Sequence, residues 1–259
     1  MKKKIRILGL ITLLCCSFYT TKELALFMKS KDPLYESIEV MKDEYYENPR
    51  DAYIDQDYMI PGLDGQQLDV DSSYQNMRQN GALELKKLVF SAIEPTISAR
   101  TNKDKIIVKG NSQKNGVSFL IDNQEFSVYL EEMGISYAIL TTKETMNNHY
   151  EFGKKLNDDF QNYEEVEGYL SRKKELVPYC YINQRDKKTC VQHKKYLFQE
   201  TKEINKNNFA KEYNKISSGD ILFLNENMGI SYLKMLIYQI QFKGLKILPI
   251  STLLSETRL

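Results

Sequence analysis

From Lys105 onward the chain alternates short apolar runs with longer amphipathic ones, and this alternation constrains the fold more than any other feature. KIIVKG and GVSFLID read as strands, EFSVYLEEMG as a helix and SYAILTT as a strand, followed by a polar helical stretch over residues 144–175. VPYCYIN, YLFQET and DILFLN are again strand-like. DKKTCVQHKKY reads as a helix, ISYLKMLIYQIQFKG as a strongly amphipathic one, and LKILPI closes the series. Repeated strand–helix units specify an α/β fold with a mostly parallel sheet covered by helices, either open or closed into a barrel. Sites in such folds form at the carboxyl ends of the strands. Here those ends are Asp122-Asn123, Thr141-Thr142, Asn183 and Asn225-Glu226. No internal repeat and no Gly-rich phosphate loop accompanies them.

Upstream the texture differs. Leu34, Ile38, Met41 and Tyr45 recur at helical spacing within residues 23–49, and Asn48-Pro49 stops the run. Pro61-Gly62 and Asp64-Gly65 mark turns, Asp71 or Ser72 can cap a short helix ending at Gly81, and LVFSAIEPTIS reads as an edge segment because of Pro95. The expected organisation is a leader over 1–22, a helix plus small module over 23–103, and the α/β domain over 104–259.

The leader, MKKKIRILGLITLLCCSFYTTK, has a basic start and an apolar run from Ile7 to Tyr19. That run is short of the roughly 20 residues a spanning helix needs. It reads as an uncleaved signal anchor or as a cleaved signal peptide, and either sends the body outward, leaving membrane contact to the N-terminal segment. Export bears on Cys180 and Cys190, which could form a disulfide or be two small buried residues on a strand and the next helix. With 36 basic and 35 acidic residues the net charge is +1, and no basic stripe is present, so no nucleic-acid partner is expected.

Residues 33–259 resemble a known family, most recognisably in the final 45 residues. SGDILFLNEN, an amphipathic helix and FKGLKILPISTLLSE are similar to the end of polysaccharide deacetylases, the NodB-homology or chitooligosaccharide-deacetylase-like family. NGVSFLIDNQ resembles that family's first motif, HYEFGKKLNDD its histidine-bearing second, and LVPYCYIN stands near a third. PGLDGQQLDVDSSYQNM resembles a module that precedes such domains. The resemblance implies a deacetylase-like, distorted (β/α) barrel, shortened by the small interval between Asp122 and the second motif. It also implies a role on cell-wall or surface polysaccharide.

The family's chemistry implies a metal held by one Asp and two His, a neighbouring Asp as base and a late His as acid. The residues here depart from it. Asp122 matches the base, Asn123 replaces the ligand Asp, Lys155 and Asp159 stand at the histidine positions, and Asn225 replaces the acid, with Glu226 beside it. The chain has 2 histidines, His149 and His193, so no His-x-x-x-His exists anywhere in it. The sequence therefore assigns no catalytic residue, no metal ligand and no cofactor. It leaves Asp122, Asn123, Tyr179, Asn225 and Glu226 as remnants of a site or as substrate-binding residues.

Three functions remain open at this stage. The first is a pseudoenzyme that binds glycan or envelope partners, its tyrosines stacking on sugar rings or simply packing in the core. The second is a hydrolase with a rearranged site, such as an Asp122–Glu226 carboxylate pair. The third is a structural anchor.

Overall fold

The computed structural model describes residues 27–121, 123–141, 160–162, 179–182, 187–192 and 194–259. The chain divides into two compact units, one of Met1–Asn48 with Gln66–Ile93 and one of Pro49–Gly65 with Glu94–Leu259. Residues 49–65 and 94–103, read from sequence with the small module, thus fall in the larger unit.

In the smaller unit, helix α1 (Pro33–Val40) begins with Asp32 as N-cap, its carboxylate accepting from Leu34 N–H, and with Pro at the first turn. It ends well before Asn48-Pro49. Leu34 and Ile38 still do what their spacing implies, packing on Leu68 and Met77, with Met41 and Tyr45 at the margin of that cluster. Helix α2 (Val70–Met77) is capped by Asp69, whose carboxylate accepts from the Ser72 N–H at 2.9 Å. The cap is therefore Asp69, two residues before the expected Asp71, and the helix ends at Met77 instead of running to Gly81. Strands β3 (Gly65–Leu68) and β4 (Phe90–Ile93) form a two-stranded sheet, with Glu47 bridging to Gln66 on the far side of β3, which leaves β4 an edge strand and makes Pro95 compatible with its end.

The larger unit is a mixed α/β fold built on parallel strands. Its main sheet runs in the order β11 (Lys202–Ile204), β12 (Ile221–Leu224), β6 (Gly116–Ile121), β7 (Ala138–Thr141), β8 (Phe160–Asn162), every pair parallel. Strand β13 (Lys246–Ile247) pairs with the amino-terminal half of β6. A second sheet has the order β1 (Tyr53–Asp55), β2 (Tyr58–Ile60), β5 (Ile106–Ile107), β10 (Tyr196–Phe198), β9 (Tyr179–Tyr181), parallel except for the β1–β2 hairpin. Strands β10 and β11 follow each other closely in sequence, so one short path serves both sheets.

Every residue of β6 is buried, as expected for the middle of a parallel sheet covered on both faces. On one face Val117, Phe119 and Ile121, with Leu222 and Leu224 of β12, meet helices α3 (Gln124–Glu132), α5 (Phe209–Tyr213) and α6 (Ile230–Phe242). Leu233, Leu236, Ile237 and Ile240 give α6 its buried stripe; truncating Leu236 to Ala should cost ~3 kcal/mol. On the other face Leu120, Ala138 and Ile221 pack against Ile107, Tyr179 and Phe198 of the second sheet and against α7 (Ile250–Leu254).

The amino end of this core is closed by buried charge. Glu256 accepts from the N–H groups of Gly62 at 3.0 Å and Ala99 at 2.8 Å and from the Ser98 hydroxyl at 2.5 Å. Arg100 makes a bidentate pair with Asp64, both contacts at 2.7 Å. Gly219 is required at the turn into β12: φ is +91°, and a Cβ there would come within 2.3 Å of the Gly110 carbonyl oxygen.

Upstream, β1, β2 and β3 are strands the sequence did not announce. From Lys105 onward the sequence reading of the strands is largely realised, with two differences. Phe160–Asn162 is a strand inside the stretch read as helix, and β11 was not foreseen. No helix among the described residues is long and apolar enough to cross a membrane. The expected leader over 1–22 lies outside those residues, as do Asp122, His149, Lys155, Asp159 and His193.

Candidate functional site at the strand ends

Ile204, Leu224 and Ile121 stand level with one another across β11, β12 and β6. The residues that follow them share the carboxyl end of the sheet. Phe223 belongs to the inner face, packed at the margin of the inter-sheet cluster, and Glu203 is its registered partner on β11. Asn225, two residues beyond Phe223, continues that face by strand alternation.

Asn225 is fully engaged there. Its Oδ1 accepts from the Asn227 N–H at 3.1 Å, capping the single 3-10 turn Glu226–Met228. Its Nδ2 donates to Glu203 Oε1 at 3.0 Å. A carboxamide has no proton to give near neutral pH, so this position supplies a hydrogen bond and no general acid. Glu226 is exposed on the first residue of the turn.

Asn123 is the N-cap of α3, and its Oδ1 accepts from the Phe126 N–H at 2.9 Å. Its Nδ2 is buried without a hydrogen-bond partner among the described residues. The oxygen that would face a cation is thus committed to the helix. The nitrogen left over is a donor and cannot coordinate. Among the described residues no three His, Cys, Asp or Glu side chains are grouped so as to hold a metal ion. Among the described residues Asn123, as placed, does not fit as a ligand to the zinc that the family resemblance implies, while Asp122, His149 and His193 lie outside those residues.

Tyr179 lies in the core: it is buried, its ring 5.3 Å from that of Tyr196 and 6.5 Å from that of Phe198. As a sugar-stacking candidate it is displaced by Tyr181, two residues nearer the strand end and only half-buried, whose hydroxyl donates to Glu200 Oε2 at 2.7 Å. Tyr181, Glu200 and Glu203 were not singled out from sequence. Strand alternation through VPYCYIN puts Tyr181 on the same face as Tyr179, and its place nearer the strand end is the signal for it, whereas Glu203 was hidden with β11. Behind this sheet Cys180 and Cys190 are joined as a disulfide, both buried, linking β9 to helix α4 (Lys187–Gln192) with Cα atoms 6.0 Å apart.

A mixed α/β body built on parallel sheets, with Glu203 and Asn225 paired at the carboxyl end of the main one, is a fold that solved structures share. The fold is that of the family 4 carbohydrate esterases. Wild-type BA3943 of Bacillus anthracis, described as a pseudoenzyme of that family, superposes with a TM-score of 0.59 at 19% identity, over 88% of this chain and 97% of that one. A BA3943 mutant described as having restored enzymatic activity also gives 0.59, at 20% identity, over 87% of this chain and 99% of that one. In sequence, the uncharacterized protein YlxY of Bacillus subtilis is 38% identical over 105 residues, 40% of this chain and 33% of that protein. The chain thus matches about a third of that relative's length. No family model matches the chain.

Proposed function

We propose that the chain is a non-catalytic member of the deacetylase-like class, an envelope protein that holds polysaccharide at the strand-end mouth without hydrolysing it. The observation that carries the reading is Asn225. The position where this class would place an acid holds an amide whose two polar atoms are spent on Asn227 and Glu203. Asn123, spent on the α3 cap, supports the same conclusion. BA3943, with the same fold, is itself described as a pseudoenzyme.

What remains suits binding. Tyr181 offers part of a ring face, and the Glu200 and Glu203 carboxylates offer acceptors to sugar hydroxyls. Export of the body, with the N-terminal segment as anchor, belongs to the same proposal and is supported by the basic start and apolar run of residues 1–22. The test is co-sedimentation of the purified chain with insoluble peptidoglycan. Binding that weakens in Tyr181→Ala and Glu203→Ala, with no acetate released, is expected. Acetate release, or binding indifferent to both substitutions, would overturn it.

A further inference from the structure

The β1–β2 hairpin places Asp55 opposite Tyr58 and Tyr53 opposite Ile60. Residues paired across an antiparallel ladder share a face, so these four point the same way. The alternate residues Ile54 and Met59 pack into the inter-sheet core, which fixes the shared face as the outer one. Tyr53 is 66% exposed and Tyr58 46%. An apolar body in water on an otherwise well-packed sheet is the observation to be explained.

With Val108 and Gln199, the next residues along on the neighbouring strands, the tyrosines line a groove of about 310 Å³. Ile60 and Val108 are its apolar floor. Around it stand two phenol hydroxyls, the Asp55 carboxylate and the Gln199 amide, none with a hydrogen-bond partner among the described residues. The floor's backbone is already used: Val108 N–H donates to Met59 at 3.1 Å and Gln199 N–H to Ile107 at 3.0 Å. An extended peptide would find no main-chain ladder there. The free carboxylate disfavours an anion.

We propose that this groove is a saccharide-binding site distinct from the strand-end mouth, stacking one or two neutral pyranose rings on Tyr53 and Tyr58. A pyranose combines an apolar face of C–H groups with a rim of hydroxyls. Aromatic rings over an apolar floor, ringed by free donors and acceptors, match both parts. The volume is at the small end for a ligand pocket, which limits the ligand to a short stretch of chain.

The chain has no Trp, so Tyr58→Trp creates a single fluorescent reporter in the groove. The full chain carrying it is titrated with chitotetraose, cellotetraose and a proline-rich decapeptide, and the unsubstituted chain is titrated in parallel by calorimetry. The expected result is saturable binding of at least one saccharide in both formats. Tyr53→Ala should weaken it about tenfold, and Tyr238→Ala, exposed on α6, should leave it unchanged. No saccharide binding by calorimetry, binding indifferent to Tyr53→Ala, or binding of the peptide alone would overturn the proposal. The mouth is tested separately at Tyr181 and Glu203, so the two readings fail independently.

Discussion

Asn225 Nδ2 donates to Glu203 Oε1 at 3.0 Å, tying the end of β12 to β11 at the carboxyl edge of the main sheet. Asn225→Ala removes both this bond and the cap on Glu226–Met228. It should lower stability by about 1 kcal/mol, measured by urea unfolding. Asn225→His restores the imidazole expected of the family yet should release no acetate, because an acid without a metal-activated water does half the chemistry.

The orphaned nitrogen of Asn123 gives a second prediction. Asn123→Ser keeps an oxygen for the Phe126 N–H and removes the unpaired donor, whereas Asn123→Ala removes the cap. Chemical denaturation should find the Ser variant within about 0.5 kcal/mol of the parent and the Ala variant lower by about 1 kcal/mol. A Ser variant as unstable as the Ala one would mean the cap is not what Asn123 provides.

Glu256 gathers Gly62, Ser98 and Ala99 at the opposite end of the core. Glu256→Ala leaves two buried N–H groups without an acceptor. The loss expected in thermal or urea unfolding is about 3 kcal/mol.

Lys114 is buried, with its ammonium donating to the Thr252 carbonyl and, at 2.8 Å, to the Ser255 hydroxyl. Burial pulls its pKa down to about 8, against the opposing pull of Asp64 and Glu256. The unfolded chain, with an ordinary lysine near 10.4, holds its proton longer as pH rises. Stability should therefore increase between about pH 8 and 10, by up to ~3 kcal/mol. Lys114→Met should flatten that rise in urea-unfolding curves taken across the window.

The disulfide closes the short loop between β9 and α4. Cys180→Ala with Cys190→Ala should cost about 2–3 kcal/mol. Alkylation followed by mass spectrometry should show both thiols blocked until reductant is added.

What was legible in the sequence was whatever hydrophobicity marks strongly. GVSFLID, DILFLN and ISYLKMLIYQIQFKG became β6, β12 and α6 because a buried strand or an amphipathic face leaves few alternatives. KEI became β11 although three residues, two of them charged, carry no strand signal apart from their place beside β12. The hairpin over 53–60 was hidden for a related reason: its turn holds Gln56 at φ 52°, where Asn or Gly would have announced it. At the site, the Asn123 and Asn225 substitutions could be read directly. Their hydrogen bonds could not, because which partner an amide takes depends on strand register. For the same reason Tyr179 was singled out where Tyr181 reaches the edge.

The central claim is that the mouth binds and does not hydrolyse. Its most direct measurement is acetate released from N-acetylated cell-wall polysaccharide by the purified full chain under excess zinc, with zinc stoichiometry determined on the same sample. The expected result is acetate at the level of the protein-free control and no stoichiometric zinc. Sustained acetate release accompanied by one bound zinc per chain would contradict the account.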